Sequence, residues 1–592
     1  MNTTEKGLEK YKRNLGEEEL VRCKLFEYIP IMIITNLSVL LISSVDGIIA
    51  GNFVGKEAFS SINIFFPISV FIGAFSTIAA CGISTSISTA IGRNDTKAVS
   101  KIKGASFYIM IGMALLVGLI QIPINIIIIN SYGLSPDMHH MIWQYAIGFM
   151  LSAPFSLIST VGTLQLQVAG RMKVLMTLTI TEALANLAFD LLFVAVFHLG
   201  VAGTGFGTLA ANLIRCSSTV IYLWKKTDFY KTRDLRPDPR LFGSILKCGL
   251  PDAAFPIISA VQNYIVLRIV MNIFGMDGGV INGAVSFCLK FANVLILGIQ
   301  SGLRPLMGLF VGAKDTMAVK EILRQGAVFV FLIIGTVTLL FELLPGLVFS
   351  INGIREIPQE GFACLRIFSI LFIFRGLSFL FRLYLSVKED IRFTTALTLG
   401  GNALVPVFAF LISLITPGPF VYISYAVSEL IILMLFIMRY RKLMLSEESL
   451  DRNTIVLYLS VKPEDAVEAS RHIRRFADEK GISPRISYKI ALCVEEMAAY
   501  VRSANSLVSK TGFRDQDDVT SAVILIRFLD KNNAVFATLD NGQCIALDQD
   551  TQKEALITDN YNLIKKLADQ VNYQYVLNLN YTTFTFKNKA KK

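Results

Sequence analysis

Four polar side chains in otherwise apolar segments could together hold a cation. Asp46 lies deep in the first long apolar segment, and Asn186 and Asp190 lie four residues apart in the fifth, so they share one face of a helix. Thr208 follows in the sixth segment. Two carboxylates with an amide and a hydroxyl can hold a proton, or they can coordinate a hard cation such as Na⁺ through oxygen. The alternative is that these groups only cross-link helices by hydrogen bonds.

Two further charged residues are candidates for a cavity between helices. Glu182 lies one helical turn before Asn186, where it either faces the same cavity or extends to the membrane surface. Arg375 lies near the middle of the tenth apolar segment. It could meet an anionic group of a substrate, or it could form a salt bridge with a carboxylate elsewhere in the bundle.

The second half of the apolar region does not repeat the carboxylate cluster. Asn402 occupies the place of Asn186, but Pro406 occupies that of Asp190, and no acidic residue stands in the place of Asp46. The sequence therefore predicts a cation site in the first half alone.

The elements that carry these residues are membrane-spanning helices. The chain has 592 residues, of which 53% are hydrophobic, and long apolar runs fill residues 26–440. A spanning helix needs roughly 20 apolar residues. Twelve segments meet this requirement, near residues 26–50, 59–84, 104–128, 141–166, 174–198, 202–223, 250–274, 282–310, 326–350, 363–385, 394–415 and 418–438.

We therefore expect an all-α polytopic membrane protein with two six-helix lobes and a small α+β cytosolic domain. The predicted divisions are an N-terminal tail at 1–25, an N-lobe at 26–223, a linker at 224–249, a C-lobe at 250–440 and a soluble domain at 445–592. The charged tail leads directly into the first apolar segment, so we expect no cleavable signal peptide.

Charge sets the predicted orientation. The net charge is +11, and the basic residues fall mostly in alternate loops, as the positive-inside rule requires of cytoplasmic loops. This pattern predicts a multi-pass protein of the plasma membrane with both termini in the cytoplasm, and it argues against a nucleic-acid partner. The eight cysteines form no CxxC pair, which argues against a zinc site or a disulfide scaffold.

A short phrase occurs twice, 220 residues apart. Gly92, Asp95, Thr96, Ala98 and Val99 recur as Gly312, Asp315, Thr316, Ala318 and Val319. Each copy follows an even-numbered apolar segment on the same predicted side, which indicates a parallel repeat of two six-helix halves. In secondary transporters built from repeats the substrate site lies between the repeats.

Residues 20–440 resemble the multidrug and toxic compound extrusion (MATE) family. The resemblance rests on runs such as VDGIIAGNFVGKEAF from Val45, LQLQVAGRMK at 164–173 and GIQSGLRPLMGLFVGAKD at 298–315. It implies two lobes arranged as a V around a central cavity, and export of drugs or metabolites by H⁺ or Na⁺ antiport. It also implies a cation site at Asp46, Asn186, Asp190 and Thr208, which match the family's order and spacing.

Residues 453–592 resemble the histidine-kinase-like ATPase fold, in the branch of anti-sigma-factor serine kinases. The expected order is a strand at 454–461, helices at 464–480 and 484–502, strands at 520–529 and 533–540, a helix near 559–570 and a strand around 581–587. The segment 563–573 would supply the closing helix.

The nucleotide-binding motifs of this second resemblance are eroded. Glu496 lies in the matching helix, but Tyr500 stands where the family places its Mg²⁺-binding asparagine, and Asn560 stands about where a lid glycine is expected. The pair Asp540 and Gly542, which would hold adenine, is retained. The resemblance implies weak or absent ATP hydrolysis and kinase activity, and a degenerate domain that binds either nucleotide or protein and modulates the transporter.

Two classes of function follow from the sequence. The first is a secondary transporter, not an enzyme, that exports a small amphipathic molecule across the lipid bilayer with H⁺ or Na⁺ as the coupling ion and no other cofactor. A lipid or polysaccharide flippase of the same superfamily is the alternative within this class. The second is a membrane sensor that signals through the cytosolic domain, with a cytosolic regulatory protein as its partner.

Overall fold

The chain forms a long helical region followed by a small mixed α/β region. The structure, a computed structural model, describes residues 16–93, 95–131, 135–227, 238–352, 357–450, 454–459, 463–510, 522–540, 562–577 and 579–587. Everything below refers to these residues.

Six long helices make up the first half of the helical region. They are α1 (Gly16–Phe53), α2 (Lys56–Gly92), α3 (Thr96–Ser131), α4 (Pro136–Val168), α5 (Met172–Leu191) and α6 (Val201–Lys226). A π-helical turn, Leu192–Val196, continues α5 directly after Asp190. π-Helical turns are rare in proteins overall, and those that do occur are often at functional sites.

The second half contains more numerous but shorter pieces. They are α7 (Pro239–Phe274), α8 (Met276–Ala313), α9 (Thr316–Phe329), α10 (Gly335–Leu343), α11 (Pro345–Ile351), α12 (Gly361–Ser369), α13 (Leu371–Val387), α14 (Ile391–Ile415) and α15 (Ile423–Leu450). A second π-helical turn, Val330–Ile334, joins α9 to α10, and a 3₁₀ turn, Pro419–Tyr422, precedes α15.

Every predicted apolar segment falls on a helix. Within the part of the chain that the structure describes, ten helices are long and apolar enough to cross a membrane. The predicted spans at 26–50 and 202–223, carried by α1 and α6, are not among the ten. In α6 the glycine, threonine and serine residues, together with Arg215, lower the mean hydropathy. The chain is thus a multi-pass membrane protein, and its division into twelve spans stays a prediction.

Both copies of the repeated phrase cap a helix. Oδ1 of Asp95 accepts a hydrogen bond from the backbone N–H of Ala98 (2.9 Å), and Oδ1 of Asp315 accepts one from Ala318 (3.0 Å). An aspartate at this position satisfies one of the unpaired N–H groups at a helix start. The repeat therefore preserves the same N-cap at the start of α3 and of α9.

The described chain divides into two compact units. The larger unit contains residues 25–311 and 322–441. The smaller unit contains the soluble domain from residue 442 onward, the first 24 residues and the segment Gly312–Glu321. The second copy of the repeated phrase thus belongs, by its contacts, with the soluble domain.

The soluble domain is a five-stranded antiparallel sheet with two helices on one face. Its elements are β1 (Thr454–Leu459), α16 (Pro463–Glu479), α17 (Pro484–Lys510), β2 (Ala522–Asp530), β3 (Asn533–Asp540), β4 (Gln570–Val576) and β5 (Leu579–Lys587), and the strand order is β1-β2-β3-β5-β4. Alternate residues such as Ile524, Phe536 and Phe584 pack with Ile490 and Val494 of α17 in one hydrophobic core.

One predicted helix of this domain ends earlier than expected. The closing helix expected near 559–570 is described only over 562–567, and the residues from Gln570 to Val576 form a strand instead. Val571, Tyr573 and Tyr575 alternate along this strand, a pattern that suits a sheet. The strand pairs with β5 through a tight turn at Leu577, which has a φ of 58°. Gly542 and Asn560 lie outside the described residues.

Candidate functional site

Asp46 is the centre of a buried polar cluster in the first half. Its carboxylate is 2% exposed. Oδ2 accepts hydrogen bonds from the hydroxyl groups of Tyr145 and Thr208, each at 3.0 Å. The side-chain amide of Asn186 donates to the Thr208 hydroxyl oxygen (3.3 Å), which links a fourth helix, α5, to α1, α4 and α6 in the cluster.

Asp190 completes the cluster from the same face of α5 as Asn186. Its carboxyl group is fully buried and lies next to that of Asp46. Neither oxygen of Asp190 accepts a hydrogen bond from an N–H or O–H group, and the same is true of Oδ1 of Asp46 and Oδ1 of Asn186. Four oxygens without hydrogen-bond donors therefore occupy one buried site.

Glycines allow the helices to approach closely enough to build this cluster. A Cβ added at Gly148 of α4 would lie 2.3 Å from the backbone of Gly205 in α6, so the two helices are in backbone contact. Tyr145 and Thr208 lie one turn from this crossing, each on its own helix. A Cβ at Gly207 would lie 1.9 Å from Oδ1 of Asp190, so only glycine leaves room for the carboxylate. Close packing at small residues is typical of membrane helices.

The chemistry of this site is that of a small cation. Two carboxylates in contact away from water cannot both stay ionised without a positive partner. The cluster atoms without hydrogen-bond partners are oxygens, and hard cations prefer oxygen ligands. A proton or a Na⁺ ion would fit this donor set, with Asp46, Asp190 and the amide oxygen of Asn186 as its ligands. The four residues that the sequence predicted are thus adjacent in space, and their role in coupling stays a prediction.

Tyr145 is a member of the cluster that sequence reasoning missed. It packs edge-on against Phe65, with ring centroids 5.3 Å apart, and this contact directs its hydroxyl at Asp46. A tyrosine in an apolar helix is common, and its spacing from the other members carries no signal because it lies on a different helix.

Glu182 does not belong to the cluster. Its carboxylate forms a buried salt bridge with the guanidinium of Arg215, which also donates to the hydroxyl of Thr163 (2.7 Å). The pair joins α5 to α6, and Thr163 adds α4. Since Glu182 is only 6% exposed, it does not extend to the membrane surface.

Comparisons with known proteins identify the fold of the helical region. A family model described as MatE matches residues 31–192, which carry Asp46, Asn186 and Asp190. The structure of a MATE protein in a bent conformation superposes with a TM-score of 0.67 at 17% identity, over 74% of this chain and 99% of that one. An outward-facing multidrug resistance MATE transporter gives the same TM-score and identity, over 72% and 96%. The helical region has the MATE fold.

Sequence relatives support a MATE family transporter. The chain is 24% identical to the multidrug export protein MepA of Staphylococcus haemolyticus over 417 residues, which are 67% of this chain and 88% of the relative. It is 21% identical to the probable multidrug resistance protein YoeA of Bacillus subtilis over 299 residues, which are 49% of this chain and 64% of the relative. Such exporters are secondary transporters, not enzymes, as expected for this chain. The resemblance of the soluble domain to ATPases gains no support from these relatives and stays a prediction.

The second half of the MATE fold carries a neutral counterpart to the carboxylate cluster. Oδ1 of Asn402 accepts a hydrogen bond from the hydroxyl of Ser259 (3.1 Å), and its amide nitrogen donates to the carbonyl of Thr398 (2.8 Å). These bonds join α7 to α14. The position equivalent to Asn186 therefore cross-links helices here, without a carboxylate beside it.

A buried charged group in the same half was not foreseen. Oδ2 of Asp252 accepts a hydrogen bond from Arg304 (2.7 Å), and Oδ1 lies 3.5 Å from Nη2 of Arg382. Arg304 also donates to the hydroxyl of Thr85 in the first half (3.1 Å), so this ion pair bridges the two halves. Asp252 lies at the start of the predicted apolar segment 250–274. A charged residue at such a position normally reaches the membrane surface, so the sequence did not indicate a buried ion pair there.

In the soluble domain, Tyr500 contacts the residue that was expected to hold adenine. Its hydroxyl donates to Oδ1 of Asp540 (3.1 Å), and the amide of Asn580 donates to the same oxygen (2.7 Å). Asp540 is fully buried, and Tyr500 is 1% exposed. Glu496 is half-buried, and burial followed by the nearby charge of Glu495 raises its pKa above the ordinary value.

Proposed function

We propose that this chain is a cation-coupled antiporter that exports small amphipathic molecules by alternating access. The observation that carries the proposal is the contact between Asp46 and Asp190, where three carboxylate oxygens lack a hydrogen-bond donor in a buried site. A structural cross-link would satisfy these oxygens with donors, as Asn402 and Ser259 do in the second half. Multidrug export by the relatives supports the choice of substrate class.

The coupling follows from differential affinity. A ligand shifts a protein between two states only if it binds one of them more tightly. The cation binds where α1, α4, α5 and α6 bring their oxygens together, and a rearrangement of these helices weakens that site. Substrate release outside the cell is then linked to cation entry. The predicted location in the plasma membrane with both termini inside, which rests on the loop charges, sets the direction of transport.

The soluble domain has a regulatory role in this proposal, and it acts through the segment Gly312–Glu321. Nη2 of Arg527 donates hydrogen bonds to the carbonyl oxygens of Ala313 (2.8 Å) and Lys314 (3.5 Å). Arg527 lies on the face of the sheet opposite the two helices. Leu525, Ala537 and Tyr581 on that face are also buried. The segment connects α8 to α9, so any restraint on it acts on the membrane helices through the chain itself.

The charges around the segment support the same contact. Burial raises the pKa of Tyr581, the positive charge of Arg527 lowers it and the negative charge of Asp315 raises it. Tyr581 therefore interacts electrostatically with both Arg527 on β2 and Asp315 in the segment Gly312–Glu321.

Nucleotide has no part in this regulation. Tyr500 stands where the ATPase family has its metal-binding asparagine. Its hydroxyl group donates a hydrogen bond to the buried Asp540 carboxylate. The Asp540 carboxylate already accepts hydrogen bonds from Tyr500 and Asn580, so it does not require a further one from the amino group of adenine. We therefore assign the domain a role in protein contacts, which disfavours a sensor that signals by phosphorylation.

The test of the transport proposal is dye efflux in inverted membrane vesicles that contain the full-length protein. A pH gradient and a Na⁺ gradient are imposed separately on the same preparation. The proposal predicts that one of the two gradients drives dye accumulation, and this result identifies the coupling ion. Transport that is insensitive to both gradients would contradict it and would favour a flippase.

A further inference from the structure

The membrane half that lacks the carboxylate pair carries a surplus of buried positive charge. Arg304, Arg375 and Arg382 are each no more than 3% exposed. Among the described residues, a single carboxylate, that of Asp252, forms ion pairs with two of these guanidinium groups, those of Arg304 and Arg382. Buried charges are normally paired, so a surplus of this kind calls for an explanation.

Arg375 holds the surplus charge. Its side chain is 2% exposed, and its Nε and Nη1 atoms have no hydrogen-bond acceptor. Asp252 pairs with Arg304 and lies beside Arg382, so it is already engaged. Glu429 lies within electrostatic reach of Arg375 but does not form an ion pair with it among the described residues. Two nitrogen atoms of this guanidinium, Nε and Nη1, are thus available to a ligand.

Three polar side chains lie along one face of α13, and two of them line a small cavity. Arg375, Ser378 and Arg382 lie on the same helical face, at spacings of three and four residues. The hydroxyl of Ser378 and Nε of Arg382 also lack hydrogen-bond partners, and both residues line a cavity of about 20 Å³ that Glu429 lines as well. A cavity of that size holds about one water molecule, so a larger ligand would enter only as the helices separate.

One aromatic ring contacts both arginines. The guanidinium carbons of Arg375 and Arg382 lie 5.0 and 5.1 Å from the ring centroid of Phe255, and Arg382 lies 3.7 Å from that of Phe379. Stacking of this kind favours the cations electrostatically but supplies no acceptor for their N–H groups. The forked N–H groups of arginine match the oxygens of a carboxylate, sulfonate or phosphate.

We propose that Arg375, with Ser378 and Arg382, binds the anionic group of the transported molecule. The substrate class is then an amphipathic anion, or a zwitterion whose acidic group meets this site, with Phe255 and Phe379 against its apolar part. This inference deepens the proposed function and rests on it. A lipophilic cation would meet an uncompensated guanidinium instead and would bind more weakly.

The test is a binding measurement without any ion gradient, on purified full-length protein in detergent micelles. Fluorescein and rhodamine 123 share a xanthene ring but carry opposite charge at pH 7.5, so their fluorescence anisotropy compares charge on one scaffold. Wild type is expected to bind fluorescein more tightly than rhodamine 123. Arg375→Gln should weaken fluorescein binding at least about tenfold, because a hydrogen bond to a charged group is lost. Arg375→Lys, which keeps the charge but loses the fork, should lie between the two.

Arg268→Gln is the matched control, because Arg268 is exposed on α7 and stacks on Tyr264. It should bind fluorescein as wild type does. Unchanged fluorescein affinity in a monodisperse Arg375→Gln variant would overturn the proposal, and so would preferential binding of rhodamine 123 by wild type. Displacement of fluorescein by added phosphatidylglycerol would identify a lipid headgroup as the source of the anion; its absence would identify a soluble anion.

Experiment can overturn the cation-coupling proposal and the anion-site proposal independently of each other. Gradient-driven transport without any preference for the anionic dye would overturn the anion site alone. Anion binding without gradient-driven transport would overturn cation coupling alone.

Discussion

Gly207 lies directly against the carboxylate of Asp190: a Cβ on Gly207 would be 1.9 Å from Oδ1 and 2.9 Å from the backbone nitrogen of Asp190. The backbone cannot retreat easily because α5 and α6 pack along their length. Gly207→Ala therefore displaces the carboxylate from Asp46. Overpacking of this kind costs about 1–3 kcal/mol. We expect the apparent affinity for the coupling cation to fall about tenfold, measured as the ion concentration that half-saturates dye efflux.

Gly73→Ala is the control for that substitution. Gly73 also lies on a membrane helix, α2, but a Cβ there would meet no atom within 4 Å. Its cation dependence should match that of wild type. Equal half-saturation in Gly207→Ala and Gly73→Ala would show that the position of Asp190 does not matter to coupling.

The salt bridge between Glu182 and Arg215 is expected to stabilise the fold without taking part in coupling. Removal of one partner leaves a buried charge unpaired, at a cost of about 3–5 kcal/mol. Glu182→Gln should therefore lower the unfolding temperature in detergent by several degrees. The double variant Glu182→Met with Arg215→Met should recover most of this loss. If the stable double variant lost gradient-driven transport, the pair would belong to the coupling machinery after all.

The contact between Tyr500 and Asp540 predicts that the soluble domain does not bind nucleotide. A fluorescent ATP analogue with Mg²⁺ should show no saturable binding to the full-length protein. Tyr500→Phe removes a hydrogen bond to a buried carboxylate and should destabilise the domain by about 1–3 kcal/mol. Hydrogen exchange of β3 reports this change within the intact chain. Micromolar, Mg²⁺-dependent binding by wild type would refute the assignment.

Arg527→Ala should release the segment between α8 and α9. Lys314 is exposed and has a φ of 57°, so a freed segment would present it readily to trypsin. We expect faster cleavage after Lys314 and a change of at least about twofold in the transport rate, since a lost hydrogen bond of about 1 kcal/mol shifts an equilibrium severalfold. Arg485→Ala removes the same charge from an exposed position of α17 and serves as the control. Identical cleavage and transport in both variants would argue against regulation through this segment.

The sequence predicted those features that depend on one helix at a time. Apolar runs marked the helices, and a spacing of four placed Asn186 and Asp190 on one face. It missed Tyr145 and Asp252, because their partners lie on other helices and only packing brings them together. It also extended the closing helix, expected near 559–570 with the segment 563–573, into residues from Gln570 onward that pair with β5 as a strand. The hydrogen bond from Tyr500 to Asp540, the residue expected to hold adenine, could not be predicted either, since the two residues are 40 positions apart in the chain.

The central claim is that Asp46 and Asp190 bind the coupling cation, and dye efflux in inverted vesicles tests it most directly. Asp46→Asn and Asp190→Asn are compared with wild type and with Asp137→Asn, an exposed position at the start of α4. We predict that both buried variants insert at wild-type levels but lose gradient-driven transport, while Asp137→Asn retains it. Full gradient-driven transport by either buried variant would contradict the account.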